Sequence, residues 1–228
     1  MISPVLPASS FNLMRQLKLN NNREWFAQNK EAYQKELALV EGFAHAMLQN
    51  LNTHDVIETP SGKKSLHRIY RDVRFSKDKT PFKANWTGGF RRATKYRRGG
   101  YYYHFEPGNN FLLAGFWSPN AQDLKLIRDD IAFSAEPLRN ILNSPSFVKN
   151  FGTLQGETLK TSPKGYDVTH NAIDLLRYKQ FLVIRRFTDE EVLSQPFFDT
   201  ACQTFREMRP FLNYMSEVLS ADVNGVSI

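Results

Sequence analysis

In "YYYHFE", residues 101–106, the polar side chains fall on every second position. On a strand, period two sets Tyr102, His104 and Glu106 on one face and Tyr101, Tyr103 and Phe105 on the other. A phenol, an imidazole and a carboxylate in one row can pass a proton. A second cluster, "HRIYRDVRFSKDKTPFK" at residues 67–83, packs three arginines, three lysines and two aspartates among aromatic residues. Its spacing predicts a strand over 69–75, with Ile69, Arg71, Val73 and Phe75 towards the core and Tyr70, Asp72 and Arg74 on the other face. If the two polar faces adjoin, arginine, aspartate, histidine and tyrosine together make an anion pocket with proton-transfer capacity. The ligand-binding set expected is Arg71, Asp72, Arg74, Lys77, Asp78, Lys79, Lys83, Tyr102 and His104. His104 and Asp72 are its candidate bases. The competing expectation is an ordinary row of polar residues on the solvent face of an antiparallel sheet.

Arg71 raises a question of its own, because its companions at period two are apolar. A guanidinium among such neighbours costs several kcal/mol to desolvate unless it is paired. A carboxylate of the chain would satisfy it structurally, a bound phosphate or carboxylate functionally, and the planar fork of arginine suits either. Arg185 or Arg186 in "FLVIRRF" poses the same question.

The chain has 228 residues and a formal net charge of +7. Residues 63–98 hold thirteen of its 30 lysines and arginines and two of its 23 acids, a local net charge of +11 against −4 for the rest. Such focusing attracts anions, although scattered lysines also serve solubility.

The elements that must position these residues can be read from periodicity. "NNREWFAQNKEAYQKELALVEGFAHAMLQNL" carries Phe26, Tyr33, Leu37, Val40, Ala44, Met47 and Leu51 as one stripe on a long helix, with Asn21 and Glu24 at capping-box spacing. A shorter helix precedes it around "SSFNLMRQLK". "NWTGGF", "YYYHFEP", "NNFLLAGFW" and "QFLVIRRF" read as strands, the third apolar on both faces and therefore central, with a turn at Asn109 and Asn110. A helix starts after Ser118 or Asn120, two short strands fall in "FGTLQGETLKTSPKGYD", and a small helix in "NAIDLLRY". A last helix runs from about Pro196 to Leu219, kinked or divided at Pro210. Length and pattern together predict a single α+β domain over 1–228, with a mostly antiparallel central sheet flanked by long N-terminal and C-terminal helices.

Several chemistries are excluded on pattern. "SGKKS" lacks the first glycine and the order of a phosphate loop, since Ile57 stands where that glycine belongs. The histidines at 45, 54, 67, 104 and 170 lack metal-ligand spacing, and no nucleophile elbow occurs. No metal and no cofactor are expected. The one cysteine, Cys202, shares a helix face with Phe198, Ala201 and Phe205, so it reads as a small buried hydrophobe. No apolar run is long enough to span a membrane, and the start "MISPVLPASS" has no leader pattern, so a cytoplasmic protein without a membrane partner is expected.

"RIYRDVRFSKDKTPFK", with "NNREWFAQNKEAY", "GGYYYHFEPGNNFLLAGFWSPNAQDLKLIRDDI", "PKGYD" and "LLRYKQFLVIRRF", resembles the bacterial and fungal family known as domain of unknown function 2461, from about Phe11 to Leu219. The resemblance implies a single-domain α+β protein and brings no activity, substrate or catalytic residue with it. Its most specific part here is Arg71, Asp72, Arg74, Phe75, Ser76, Lys77, Asp78, Lys79, Thr80, Pro81 and Lys83.

Three function classes follow. The first is binding of a small phosphate- or carboxylate-bearing ligand, extending to an enzyme on a phosphorylated metabolite if a base is correctly placed. The alternative is nucleic-acid binding by the basic segment 63–98 with its interleaved Tyr70, Phe75, Phe82, Trp86, Phe90 and Tyr96. Against it stands parity, which puts Phe75 in the core. A third class is docking of a protein partner, of unknown identity, by the basic segment.

Overall fold

The computed structural model describes residues 4–93 and 96–220. Within them, α1 (Ala8–Leu19), α2 (Arg23–Gln28), α3 (Lys30–Leu51) and α4 (Gly62–Ser65) come first. Strands β1 (Trp86–Arg91), β2 (Gly100–Phe105) and β3 (Asn110–Phe116) follow, then α5 (Ala121–Phe133), α6 (Glu136–Leu142), α7 (Pro145–Phe151) and α8 (Ile173–Leu176). β4 (Phe181–Phe187), α9 (Asp189–Val192) and α10 (Phe197–Ser220) complete the order. The four strands form one antiparallel sheet in the order β1-β2-β3-β4, so the α+β class expected from the pattern is the one observed. β3 lies inside the sheet, in keeping with its apolar composition. Among the described residues no helix is long and apolar enough to cross a membrane.

The chain forms two compact units. One comprises residues up to Phe90 with Tyr102–Leu112 and Arg186–Gln203; the other comprises Arg91–Tyr101, Leu113–Arg185 and the chain from Thr204 onward. In the first unit the stripe read from the sequence is a core surface, with Phe26, Val40, Ala44, Met47 and Leu51 buried. The expected single helix is divided: Asn22, not Asn21, caps α2 by accepting from the Trp25 N–H, and Asn29 interrupts before α3 begins. Tyr103 and Phe105 of β2 are fully buried, and Phe105 meets Phe43 and Phe197 edge-on at 6.1 and 5.7 Å. Edge-on rings of this kind add to what burial alone contributes.

In the second unit Ile127 and Ile131 of α5, Leu138 of α6 and Phe205, Met208 and Leu212 of α10 are buried. Asn120 caps α5 through the Asp123 N–H. α6 and α7 are seven residues each, too short to show a sustained apolar stripe, and both begin with a proline in the first turn. α10 runs through Pro210 as one helix, so the proline does not divide it. Two short strands expected over 151–167 are absent; only isolated bridges, Gln155 to Leu182 and Thr158 to Tyr178, occur there. Cys202, in the first unit, is buried as expected.

The strand expected over 69–75 is also absent. A single bridge, Tyr70 to Phe82, with Arg71 N–H donating to the Pro81 carbonyl at 2.9 Å and Lys83 N–H to that of Ile69 at 2.7 Å, closes the base of a long loop. Beyond it the aspartates bind locally instead of leaving the backbone to a ladder. Asp72 accepts from the Arg74 N–H at 3.2 Å, Asp78 from the Thr80 N–H at 2.9 Å, and the Lys79 ammonium donates to the Val73 carbonyl at 2.9 Å. Such side-chain turns compete with sheet pairing. Ile69 is buried as the alternation requires, but Phe75 is 96% exposed. The period-two reading therefore holds for the first residues and fails where the loop departs.

Candidate functional site

Backbone pairing to β1 and a side-chain clamp from Asn21 hold the basic segment in place. His67 N–H donates to the Thr87 carbonyl at 2.8 Å, and Leu66 bridges to Gly88, extending the free edge of β1. Gly88 has no room for a side chain, since a Cβ would stand 2.2 Å from the Tyr103 hydroxyl and 2.5 Å from the Ser65 carbonyl oxygen. Asn21 grips Phe82 from the helical side, donating to its carbonyl at 2.9 Å and accepting from its N–H at 3.1 Å.

These anchors leave an open cleft of about 390 Å³ over the polar faces of β1 and β2. Of the expected site residues it brings together Arg71, Asp72, Lys83, Tyr102 and His104. His67, Asn85 and Thr87 join them. The other four expected residues lie outside the cleft. Arg74 is exposed and holds Asp72 in a two-pronged pair, at 2.9 and 2.6 Å; Asp78 pairs with Arg71; Lys77 and Lys79 are exposed on the loop. Asn85 and Thr87 had a signal in the sequence, for they alternate with Trp86 and Gly88 as the polar side of β1. His67 had none beyond its place at the head of the basic run.

The cations of the cleft are incompletely matched. Arg71 directs one guanidinium nitrogen, Nη1, to Asp78 and to the hydroxyl and carbonyl of Thr80. Its Nε and Nη2 have no partner among the described residues. Lys83 is half-buried, and among the described residues its ammonium has neither a hydrogen bond nor an ion pair. Burial, and then the nearby Arg68, push its pKa down. Burial and Lys83 likewise lower His67, so its imidazole is neutral at pH 7. The one acid lining the cleft, Asp72, is held below the usual carboxylate range by the side chain and N–H of Arg74. It is thus engaged from outside and is a poor base.

The Tyr102, His104, Glu106 row stands as period two requires. His104 Nε2 lies 2.9 Å from Glu106 Oε2, and Tyr102 Oη lies 3.3 Å from His104 Nδ1. Phe111 stacks flat on the imidazole, its ring centre 4.7 Å away and 8° from parallel. Burial alone would raise Glu106, but hydrogen bonds from His104 and Asn109 and the charge of Lys18 bring it down. Burial raises Tyr102 in spite of the Thr87 hydroxyl bonded to it. An ionised Glu106 accepts a proton-bearing Nε2, which leaves Nδ1 to accept from the phenol. Tyr102 thus links the His104 ring to the cleft that both residues line. At pH 7.5, nitrogen-15 NMR is expected to show His104 as the Nε2-protonated tautomer, and Glu106→Gln to weaken that preference. An Nδ1-protonated ring in the wild type would contradict the arrangement.

The residues at the far end of the basic segment are used differently. Arg91, Arg92, Tyr96, Arg97 and Arg98 belong to the second unit. There Arg92 is buried, donating to the Leu212 carbonyl at 3.0 Å and the Ser216 hydroxyl at 2.9 Å, and Arg98 pairs with Asp123. Lys95 lies outside the described residues. Arg185 is satisfied by Asn150 and Thr204 at 2.8 and 3.0 Å, and Arg186 stands over the Phe111 ring at 5.5 Å. No curated protein and no solved structure matches this sequence. A family model, described as conserved hypothetical protein (DUF2461), matches residues 9–214, so the chain belongs to that family.

Proposed function

We propose that the cleft of Arg71, Lys83 and His67 binds the phosphate or carboxylate group of a small ligand. The observation that carries this reading is Lys83, a half-buried ammonium with no counter-ion among the described residues, beside an arginine with two donor nitrogens to spare. A fold keeps such charges unmatched at a cost, and an incoming anion relieves it. The Glu106, His104, Tyr102 row adds a route for a proton at the edge of the same cleft, which is what an enzyme acting on a phosphorylated metabolite requires.

A second reading draws on one specific observation. Phe75 is 96% exposed with the Arg74 guanidinium 5.9 Å from its ring centre, and Lys77 and Lys79 follow on the same loop. An exposed aromatic beside an arginine, on a loop with further lysines, suits stacking by single-stranded nucleic acid. The argument from parity against that class therefore falls away.

Salt separates the two readings. A protein contacting about six phosphates of duplex DNA loses roughly a thousandfold in affinity between about 50 and 200 mM salt, and single strands respond somewhat less, whereas a pocket for one small anion changes far less. The wild type is expected to bind inorganic phosphate or a small phosphate ester with the shallow dependence, measured by calorimetry, and Arg71→Met to lose that binding while remaining folded. Steep salt dependence with oligonucleotides, removed by Phe75→Ala, together with no binding of small anions, would favour the second reading and sink the first.

A further inference from the structure

A second cleft, of about 460 Å³, adjoins the loop base on the side of α2. Its floor is aromatic. Phe26 and Phe82 stack at 4.1 Å and 24°, and Tyr70 leans on Phe82 at 5.4 Å and 49°, with more than half of its own surface exposed. Its rim carries Arg23, Lys30 and Arg71 and no carboxylate. Arg71 lines both clefts. Because one nitrogen of that guanidinium is occupied by Asp78 and Thr80, the group is fixed in place with Nε and Nη2 left to donate.

An open aromatic corner with a cationic rim suits one kind of occupant. An aliphatic chain gains from enclosure, which a half-open cleft does not give, and it gains nothing from three cations. A flat heteroaromatic ring gains from contact through a single face, and its carbonyl and ring-nitrogen acceptors can take hydrogen bonds from a lysine and an arginine. The two clefts meet at Arg71, whose planar fork suits a phosphate. We infer that the ligand joins a heteroaromatic ring to its phosphate, as a nucleoside 5′-monophosphate does, with the ring on Tyr70 and the phosphate between Arg71, Lys83 and His67. This rests on the anion reading of the first cleft and extends it to a ligand class.

Calorimetric titration with AMP, GMP, CMP, UMP, ribose 5-phosphate and inorganic phosphate tests it. At least one nucleotide is expected to bind about tenfold more tightly than ribose 5-phosphate, the scale of one base–aromatic stack. Tyr70→Ala is expected to remove that advantage and leave ribose 5-phosphate unchanged, while Tyr70→Phe, which keeps the ring, retains it. Transferred nuclear Overhauser effects from Tyr70 to the base protons provide a readout independent of any variant. Equal affinity for nucleotides and ribose 5-phosphate, or an advantage indifferent to Tyr70→Ala, overturns the inference and leaves the anion site standing. Failure of every one of these anions to bind overturns both.

Discussion

Lys83→Met is expected to move stability and binding in opposite directions. The side chain is half-buried, its ammonium has no counter-ion among the described residues, and Arg68 repels it, so an apolar isostere removes a desolvation cost while keeping the stem's packing. The melting temperature should rise by about 1–3 °C. Phosphate binding should weaken by about tenfold to a hundredfold, as the loss of one charge-assisted hydrogen bond requires. The conjunction matters because it separates a site from scaffolding. A lysine that merely decorates a surface moves neither quantity, and a structural lysine lowers stability when lost. Calorimetry and thermal denaturation of the same preparation measure both.

The second large effect concerns how the cleft is held in place. Gly62 opens α4 where it lies on α3, and a Cβ there would stand 2.4 Å from both the Glu41 carbonyl oxygen and the His45 backbone nitrogen. Those atoms belong to a helix backbone and cannot swing aside as a side-chain tip does. Gly62→Ala should therefore cost about 2–4 kcal/mol, a fall of roughly 6–12 °C in melting temperature for a chain of this size. Since α4 leads directly into the His67 anchor on β1, the variant should also weaken phosphate binding. Gly42→Ala is the matched control. That glycine lies within α3 with nothing in reach of a Cβ, so the substitution should stabilise by about 0.5–1 kcal/mol. A Gly62→Ala protein as stable as the wild type would show that α4 does not pack as described.

Much of the fold was legible because its signals are local. The stripe on α3, the alternation in β2 and the apolar run of β3 each need only the spacing of residues within one element. The row of Tyr102, His104 and Glu106 came through for the same reason, as strand parity alone determines it. What escaped was non-local or competitive. The 69–75 run has strand alternation, but Asp72 and Asp78 tie their own loop, and the alternation stops applying after Ile69 and Tyr70. Strand parity puts Phe75 in the core, whereas the loop leaves it exposed. The division of the long helix at Asn29 depends on the asparagine amide donating back to the Trp25 carbonyl at 2.9 Å, a choice that apolar spacing does not record. The apolar companions of Arg71 mark it in the sequence as needing a partner. That Asp78 and Thr80 would occupy only one of its nitrogens could not be read from type or spacing, because it depends on how the loop closes. His67 entered the cleft through a backbone rung to Thr87, and no periodicity announces a single rung.

The second unit illustrates the limit of reading charge by position. Arg92 and Arg98 count toward the basic excess of 63–98, yet one is buried under the carbonyl of Leu212 and the other is matched by Asp123. Around Lys83 and Arg71, charge density in the sequence becomes a charge vacancy that lines a cleft. Function is sought there because unmatched charge, rather than charge as such, marks the cleft.

Phosphorus-31 NMR of inorganic phosphate, titrated with wild-type protein and with Lys83→Met and Arg71→Met at fixed salt, addresses this vacancy most directly. The phosphate resonance should broaden and shift in proportion to added wild type, respond far less to Lys83→Met, and stay sharp and unmoved with Arg71→Met. A resonance affected equally by all three proteins, or by none, would contradict it.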